Sequence, residues 1–163
     1  MKERSYQAWK PLQPGAIIDL IAPAGRCPAE ALQKVDTLLH HWQLIPRRDP
    51  KLLGDDLLCA NSDEERFSQL KQALYNTDSS AVWCLRGGYG CTRLIPNLLP
   101  VAPPTLNKLF IGFSDITTLH LFYNNNGIGK PCMGLPPIKL RRVILMIRVL
   151  MNSSKLFLAN CLN

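Results

Sequence analysis

A chain of 163 residues, 47% hydrophobic and 19% charged, has the length of one ordinary domain and enough apolar content to bury a core, which argues against disorder. Its formal net charge of +7 suggests an anionic partner, but the charge is unevenly placed: residues 1–115 hold 13 Lys/Arg against all 12 Asp/Glu, and residues 116–163 hold 6 Lys/Arg and no acid. The basic character belongs to the tail, so the expectation is no nucleic-acid partner and no membrane partner for the folded part.

The segment Met1–Gly15 carries charges but no apolar run of the kind a secretory signal needs, so a cytoplasmic location is expected. No stretch approaches the ~18–20 apolar residues that span a bilayer; the most apolar run, Val143–Met151, is interrupted by Arg148. The six cysteines, at 27, 59, 84, 91, 132 and 161, form no C-x-x-C pair. That spacing argues against a zinc site and fits reduced thiols.

In chain order, Ala16–Ala22 (AIIDLIA) is a short apolar run between Pro-Gly and Pro-Ala-Gly, which predicts a buried strand. Ala31, Leu32, Val35, Leu38, Leu39 and Trp42 recur at helical spacing, so a helix is expected over 29–42, with Pro28 at its start. Leu44–Pro46 reads as a second, short strand, and 47–59 is polar and turn-rich. Ser62-Asp63-Glu64-Glu65 opens a helix over 62–76: Ser62 caps it, Glu65 closes a capping box, and the acids suit the positive end of the dipole. Phe67, Leu70, Ala73 and Leu74 form its buried stripe. Ala81–Leu85 predicts a strand that runs into a glycine-rich loop, then a short helix near 91–99. Lys108–Phe113 predicts a strand that turns at Ser114-Asp115 into a helix over 115–124, with Ile116, Leu119, His120 and Tyr123 on one face. This alternation predicts an α/β fold with a mostly parallel sheet flanked by helices.

Chemistry in such sheets sits at the carboxyl ends of the strands, where two loops draw notice. At Gly112-Phe113-Ser114-Asp115, a serine on a tight strand-to-helix turn projects its Oγ, with first-turn N–H groups facing the same space. Ile116 stands where the hydrolase pattern G-x-S-x-G has its last glycine, and Ser114 acting only as a helix cap is the competing reading. At Arg86-Gly87-Gly88-Tyr89-Gly90, three glycines in four positions let backbone N–H groups approach an oxyanion or phosphate; the alternative is a plain loop before a helix. His40 and His41 fall near the end of a surface helix. His120 lies too far along its helix to serve Ser114. No glutamate follows Glu65, so no base or orienting acid is evident downstream.

Together these pieces resemble the LD-carboxypeptidase family, which includes the microcin C self-immunity peptidases. The residues that carry the likeness are Ile21-Ala22-Pro23-Ala24-Gly25, then Leu85-Arg86-Gly87-Gly88-Tyr89-Gly90 with Thr92-Arg93-Leu94, then Lys108–Thr117 around the G-F-S-D turn, over residues 11–125. The resemblance implies a flavodoxin-like or Rossmann-like N-terminal domain. It implies Ser114 as the catalytic nucleophile, and the N–H groups of Asp115 and Gly88 as the oxyanion hole. Arg86, Gly87, Tyr89 and Gly90 would form the substrate loop. It further implies cleavage of the amide before a terminal D-alanine in murein tetrapeptides during cell-wall recycling, a muropeptide substrate, no metal or cofactor, and a tendency to homodimers.

The family's catalytic Glu and His come from a C-terminal domain that this chain is expected to lack. The expected division is 1–126, an α/β domain with the nucleophile turn, and 127–163, an aberrant basic tail. The family usually continues with His-Gly-Pro where this chain has Cys132-Met133-Gly134-Leu135. By the standard genetic code TGC-ATG-GGC-CTN would encode those four residues, and the same letters read two bases later give CAT-GGG-CCT, which is His-Gly-Pro, so a frameshift between about 126 and 132 is expected. This truncated chain is therefore expected to be inactive. The alternatives are a non-catalytic remnant, or a small anion-binding module using the glycine-rich loop.

Overall fold

The computed structural model describes residues 11–104, 106, 108–125 and 132–133. The chain divides into two units, the first of which is Pro14–Pro137. Almost all described residues lie in the first. The expected tail, 127–163, falls outside the described residues apart from Cys132–Met133.

The elements are β1 (Ile17–Ile21), α1 (Ala29–His41), β2 (Ile45–Arg47), α2 (Asp63–Tyr75), β3 (Ser79–Cys84), α3 (Cys91–Leu98), β4 (Leu109–Gly112), a 3-10 turn (Ser114–Ile116), α4 (Thr117–Asn125) and β5 (Cys132–Met133). All strand pairings are parallel, in the order β2-β1-β3-β4-β5. That order is the flavodoxin-like one, which selects between the two architectures the sequence leaves open. The described strands form the α/β sheet expected from the alternation of short apolar runs and helical periods. Two differences are local. The helix expected from 115 begins as a 3-10 turn and becomes α-helical at Thr117. The two-residue strand β5, which no strand signal announces, pairs with Ile111 and Gly112 of β4.

Right-handed crossovers decide where the helices go. The step from β1 to β2 runs one way along the sheet, and the steps β2 to β3, β3 to β4 and β4 to β5 run the other. Helix α1 therefore takes one face, while α2, α3 and α4 share the opposite face. The main core lies on that shared face: Leu70 and Leu74 of α2, Leu94 of α3, and Ile116 and Leu119 pack on Ile21, Val82 and Phe110 of the sheet.

Helix α2 departs from its sequence reading in two places. Ser62 Oγ accepts the Glu65 N–H at 3.3 Å, as a cap should. The reciprocal bond comes from Asn61, whose Oδ1 accepts the Ser62 N–H at 2.8 Å, and Glu65 instead faces Lys51 at 3.8 Å. The neighbouring residue reaches the donor with a shorter side chain and loses less rotamer freedom. Arg66 and Gln69, which lie outside the apolar stripe expected from the sequence, are buried as well.

The apolar reading of β1 also hides a charge. Asp19 is buried in mid-strand and is held by Arg47 at 2.6 and 3.2 Å, by Asn76 at 3.1 Å and by Lys108 at 3.9 Å. A buried carboxylate persists only when it is paired and hydrogen-bonded. The Lys108 amine, depressed by desolvation with Asp19 opposing the shift, is further held by Ala73 O and Ser79 Oγ, each at 2.6 Å.

Candidate functional site

The sheet order reverses between β1 and β3, and the loops that leave their carboxyl ends meet there. This is the switch point at which α/β sheets place ligands. The loop after β1, 22–27, and the glycine-rich loop after β3, 85–90, are joined by backbone bonds: Leu85 N–H to Ile21 O at 2.9 Å and Gly25 N–H to Gly87 O at 3.0 Å. The Arg86 guanidinium donates to Arg26 O at 2.7 Å. Arg86 and Gly88 are exposed, Gly87 and Gly90 are buried, and Tyr89 is half-exposed.

Ser114 leaves the next strand, β4, on this same edge. It is exposed, and its φ of +60° is one of two left-handed values among the described non-glycine residues. A side chain in that region costs about 1–2 kcal/mol, and such strain concentrates where a reactive group must be aimed. The turn presses against the glycine-rich loop: a Cβ added to Gly87 would lie 2.7 Å from Ser114 Cβ and 3.1 Å from Ser114 Oγ. Gly88, at φ +118°, adopts backbone that only glycine enters easily.

Asp115 contributes more than a backbone N–H. Its carboxylate accepts the Cys91 N–H at 2.9 Å, at the start of α3. The elbow thus caps the helix that follows the glycine-rich loop, where a negative group also complements the helix dipole. The N–H of Asp115 itself lies in the first turn of its helix, where donors have no intrahelical acceptor.

The other reactive groups near this edge are quiet. Burial pushes the Cys91 thiol well up, and the Asp115 carboxylate adds to the effect. Cys27 is also raised by burial, partly offset by Arg86. Such thiols stay protonated and inert. His120 is buried, packs edge-on against Phe110 at 5.5 Å, and has its basicity lowered by desolvation. His40 lies at the exposed C-terminal end of α1, at the opposite edge of the sheet, bonded to Asp36 O at 2.8 Å. Among the described residues nothing hydrogen-bonds to Ser114 Oγ, and no group of three or more His, Cys, Asp or Glu is arranged to hold a metal ion. No helix among the described residues is long and apolar enough to cross a membrane.

The structure thus brings Ser114, Asp115 and the 86–90 loop to one edge. It adds Arg66, a buried residue of α2 that bonds to Gly90 O and belongs to neither sequence motif. Helical periodicity gave the one available signal, since Arg66 falls four residues before Leu70 on the buried stripe.

An exposed, strained serine at a strand-to-helix turn, backed by a glycine-rich loop at the carboxyl edge of a parallel sheet, is the architecture of an α/β serine hydrolase. Comparison with known proteins makes this specific. Residues 18–131 match the LD-carboxypeptidase N-terminal domain, and the chain belongs to the LD-carboxypeptidase family, whose members are serine carboxypeptidases. It is 33% identical over 128 residues to the murein tetrapeptide carboxypeptidase of Pseudomonas aeruginosa, covering 76% of this chain and 40% of that one. The muramoyltetrapeptide carboxypeptidase of Oxalobacter formigenes superposes with a TM-score of 0.58 at 30% identity, over 69% of this chain and 38% of that chain. A microcin C7 self-immunity protein shares the fold, with a TM-score of 0.68 at 17% identity over 92% of this chain and 48% of that chain. The chain spans between 20% and 40% of the length of the curated relatives it matches.

Proposed function

We propose that Ser114 is the nucleophile of a cytoplasmic LD-carboxypeptidase site that releases the terminal D-alanine from murein tetrapeptides. The observation that carries this reading is the left-handed, exposed Ser114 pressed against Gly87. In this mechanism Oγ attacks the carbonyl carbon before the D-alanine. The developing oxyanion is taken by the N–H groups of Asp115 and Gly88, and the C–N bond breaks as the amine leaves with a proton. Water then hydrolyses the acyl-serine. Removing one donor from such a hole costs about 10²–10³ in kcat, which is why a loop with little freedom serves the reaction.

A serine hydroxyl needs a base to take its proton. The family resemblance assigns that base and its orienting acid to a C-terminal domain, so the 163-residue chain alone is proposed to be inactive. The test is a chimera that joins residues 1–125 to the complementary C-terminal part of the P. aeruginosa relative. The folded chimera is expected to release D-alanine from a murein tetrapeptide, Ser114→Ala is expected to abolish release, and the 163-residue chain is expected to show none. A folded chimera without turnover, or release that survives Ser114→Ala, would refute the proposal. Robust hydrolysis by the 163-residue chain would show that the base lies within it.

A further inference from the structure

Arg66 is fully buried, yet its guanidinium is spent on the backbone of the loops that form the site. Nε donates to Asn61 O at 3.0 Å, Nη1 donates to Pro23 O and to Gly90 O, the latter at 3.1 Å, and Nη2 donates to Asp63. Pro23 belongs to the loop after β1 and Gly90 ends the loop after β3. Asp63 in turn holds Arg93 of α3 at 2.8 Å. One side chain from α2 therefore joins the two loops that meet at the switch point.

The glycine-rich loop is consequently pinned at both ends. Gly25 N–H holds Gly87 O at one end, and Arg66 holds Gly90 O at the other, next to the bond from Cys91 N–H to Asp115. Gly88 lies between the two pins. The identity of Gly90 follows from the same contact: a Cβ there would stand 2.7 Å from Arg66 Nη1, at a φ of +125°.

We propose that Arg66 is a positioning residue, which sets the glycine-rich loop so that the Gly88 N–H faces the carbonyl attacked by Ser114. This inference rests on the serine carboxypeptidase reading above. Filling a core with a guanidinium carries a desolvation cost that an apolar side chain of similar volume avoids, so its carbonyl contacts account for its presence better than packing does. A lysine cannot replace it, because an ammonium lacks the planar fork that reaches three carbonyls and a carboxylate together.

The experiment compares Arg66→Lys with the unaltered sequence by amide hydrogen exchange in the 163-residue chain, and by kinetics in the chimera. Exchange at the two pinning amides, Gly25 and Cys91, is expected to rise at least about tenfold while Val82 and Trp83 of β3 are unchanged, because only local opening is affected. In the chimera kcat is expected to fall by about 10–100-fold, below the loss of a whole oxyanion donor, with KM nearly constant. Where Arg66→Lys does not fold, Asp63→Asn, which loosens the Nη2 brace, gives the same pattern at smaller size. Acceleration of the loop and β3 amides together would reduce Arg66 to a general stabiliser and overturn the proposal, as would an unchanged kcat in an active chimera. A chimera with Arg66 intact and no turnover would count against the carboxypeptidase reading alone, and the exchange comparison would still decide the positioning role.

Discussion

Replacing Ser114 by glycine should stabilise the protein relative to replacing it by alanine, although both changes remove the proposed nucleophile. Ser114 sits at φ +60°, where a residue with a Cβ costs about 1–2 kcal/mol. Alanine retains that cost and glycine removes it. Glycine also enlarges the unfolded ensemble, which costs roughly 0.4–1 kcal/mol. The difference favours glycine by about 0.8 kcal/mol at the centre of these ranges. For a folded region of this size that corresponds to about 3 °C in Tm. Ser114 is exposed and makes no hydrogen bond through Oγ among the described residues, so losing the hydroxyl should matter little and Ser114→Ala should melt close to the unaltered chain. Thermal unfolding followed by circular dichroism measures all three. A Ser114→Gly variant that melts at or below Ser114→Ala would show that the backbone at 114 is not held in the left-handed region, and the strained-turn argument would fall with it.

Two further outcomes follow from the described contacts. His120 is buried with its pKa lowered from 6.5, first by desolvation; its unfolded form binds a proton that the folded form resists, so stability is present above pH 6.5 and declines as pH falls toward the folded pKa. The thermal midpoint should therefore drop between pH 7.5 and 5.5, and His120→Phe should flatten that slope; an unchanged slope would place the titrating group elsewhere. Asp115→Ala removes the acceptor of the Cys91 N–H and should cost about 1 kcal/mol in denaturant unfolding, the usual value of a lost helix cap; no loss would mean that water caps α3 equally well.

Much of the fold was legible because its signals are local. The runs around Ile17–Ile21, Ser79–Cys84 and Leu109–Gly112 are apolar enough to mark strands buried on both faces, and helices α1 and α2 carry their own period and start signals. The turn at Ser114 and the glycines at 87, 88 and 90 could be picked out for the same reason, since glycine and a serine after a strand mark special backbone wherever they fall.

Other features depend on residues far apart in the chain. Arg66 reads as one more charge on a helix until Pro23 O and Gly90 O arrive beside it, and Asp19 reads as a flaw in a strand until Arg47 and Lys108 close on it. The identity of Asp115 as the cap of α3 needs β3 and β4 to be neighbours, which no local pattern states. Hydrophobic period and backbone preference act over a few residues, so they mark the helices, the special turns and every described strand except β5. The strand order, the partners of the buried charges and the meeting of Ser114 with Gly87 have no such local mark, because each is set by contacts that exist only once the parallel sheet has brought separate strands side by side.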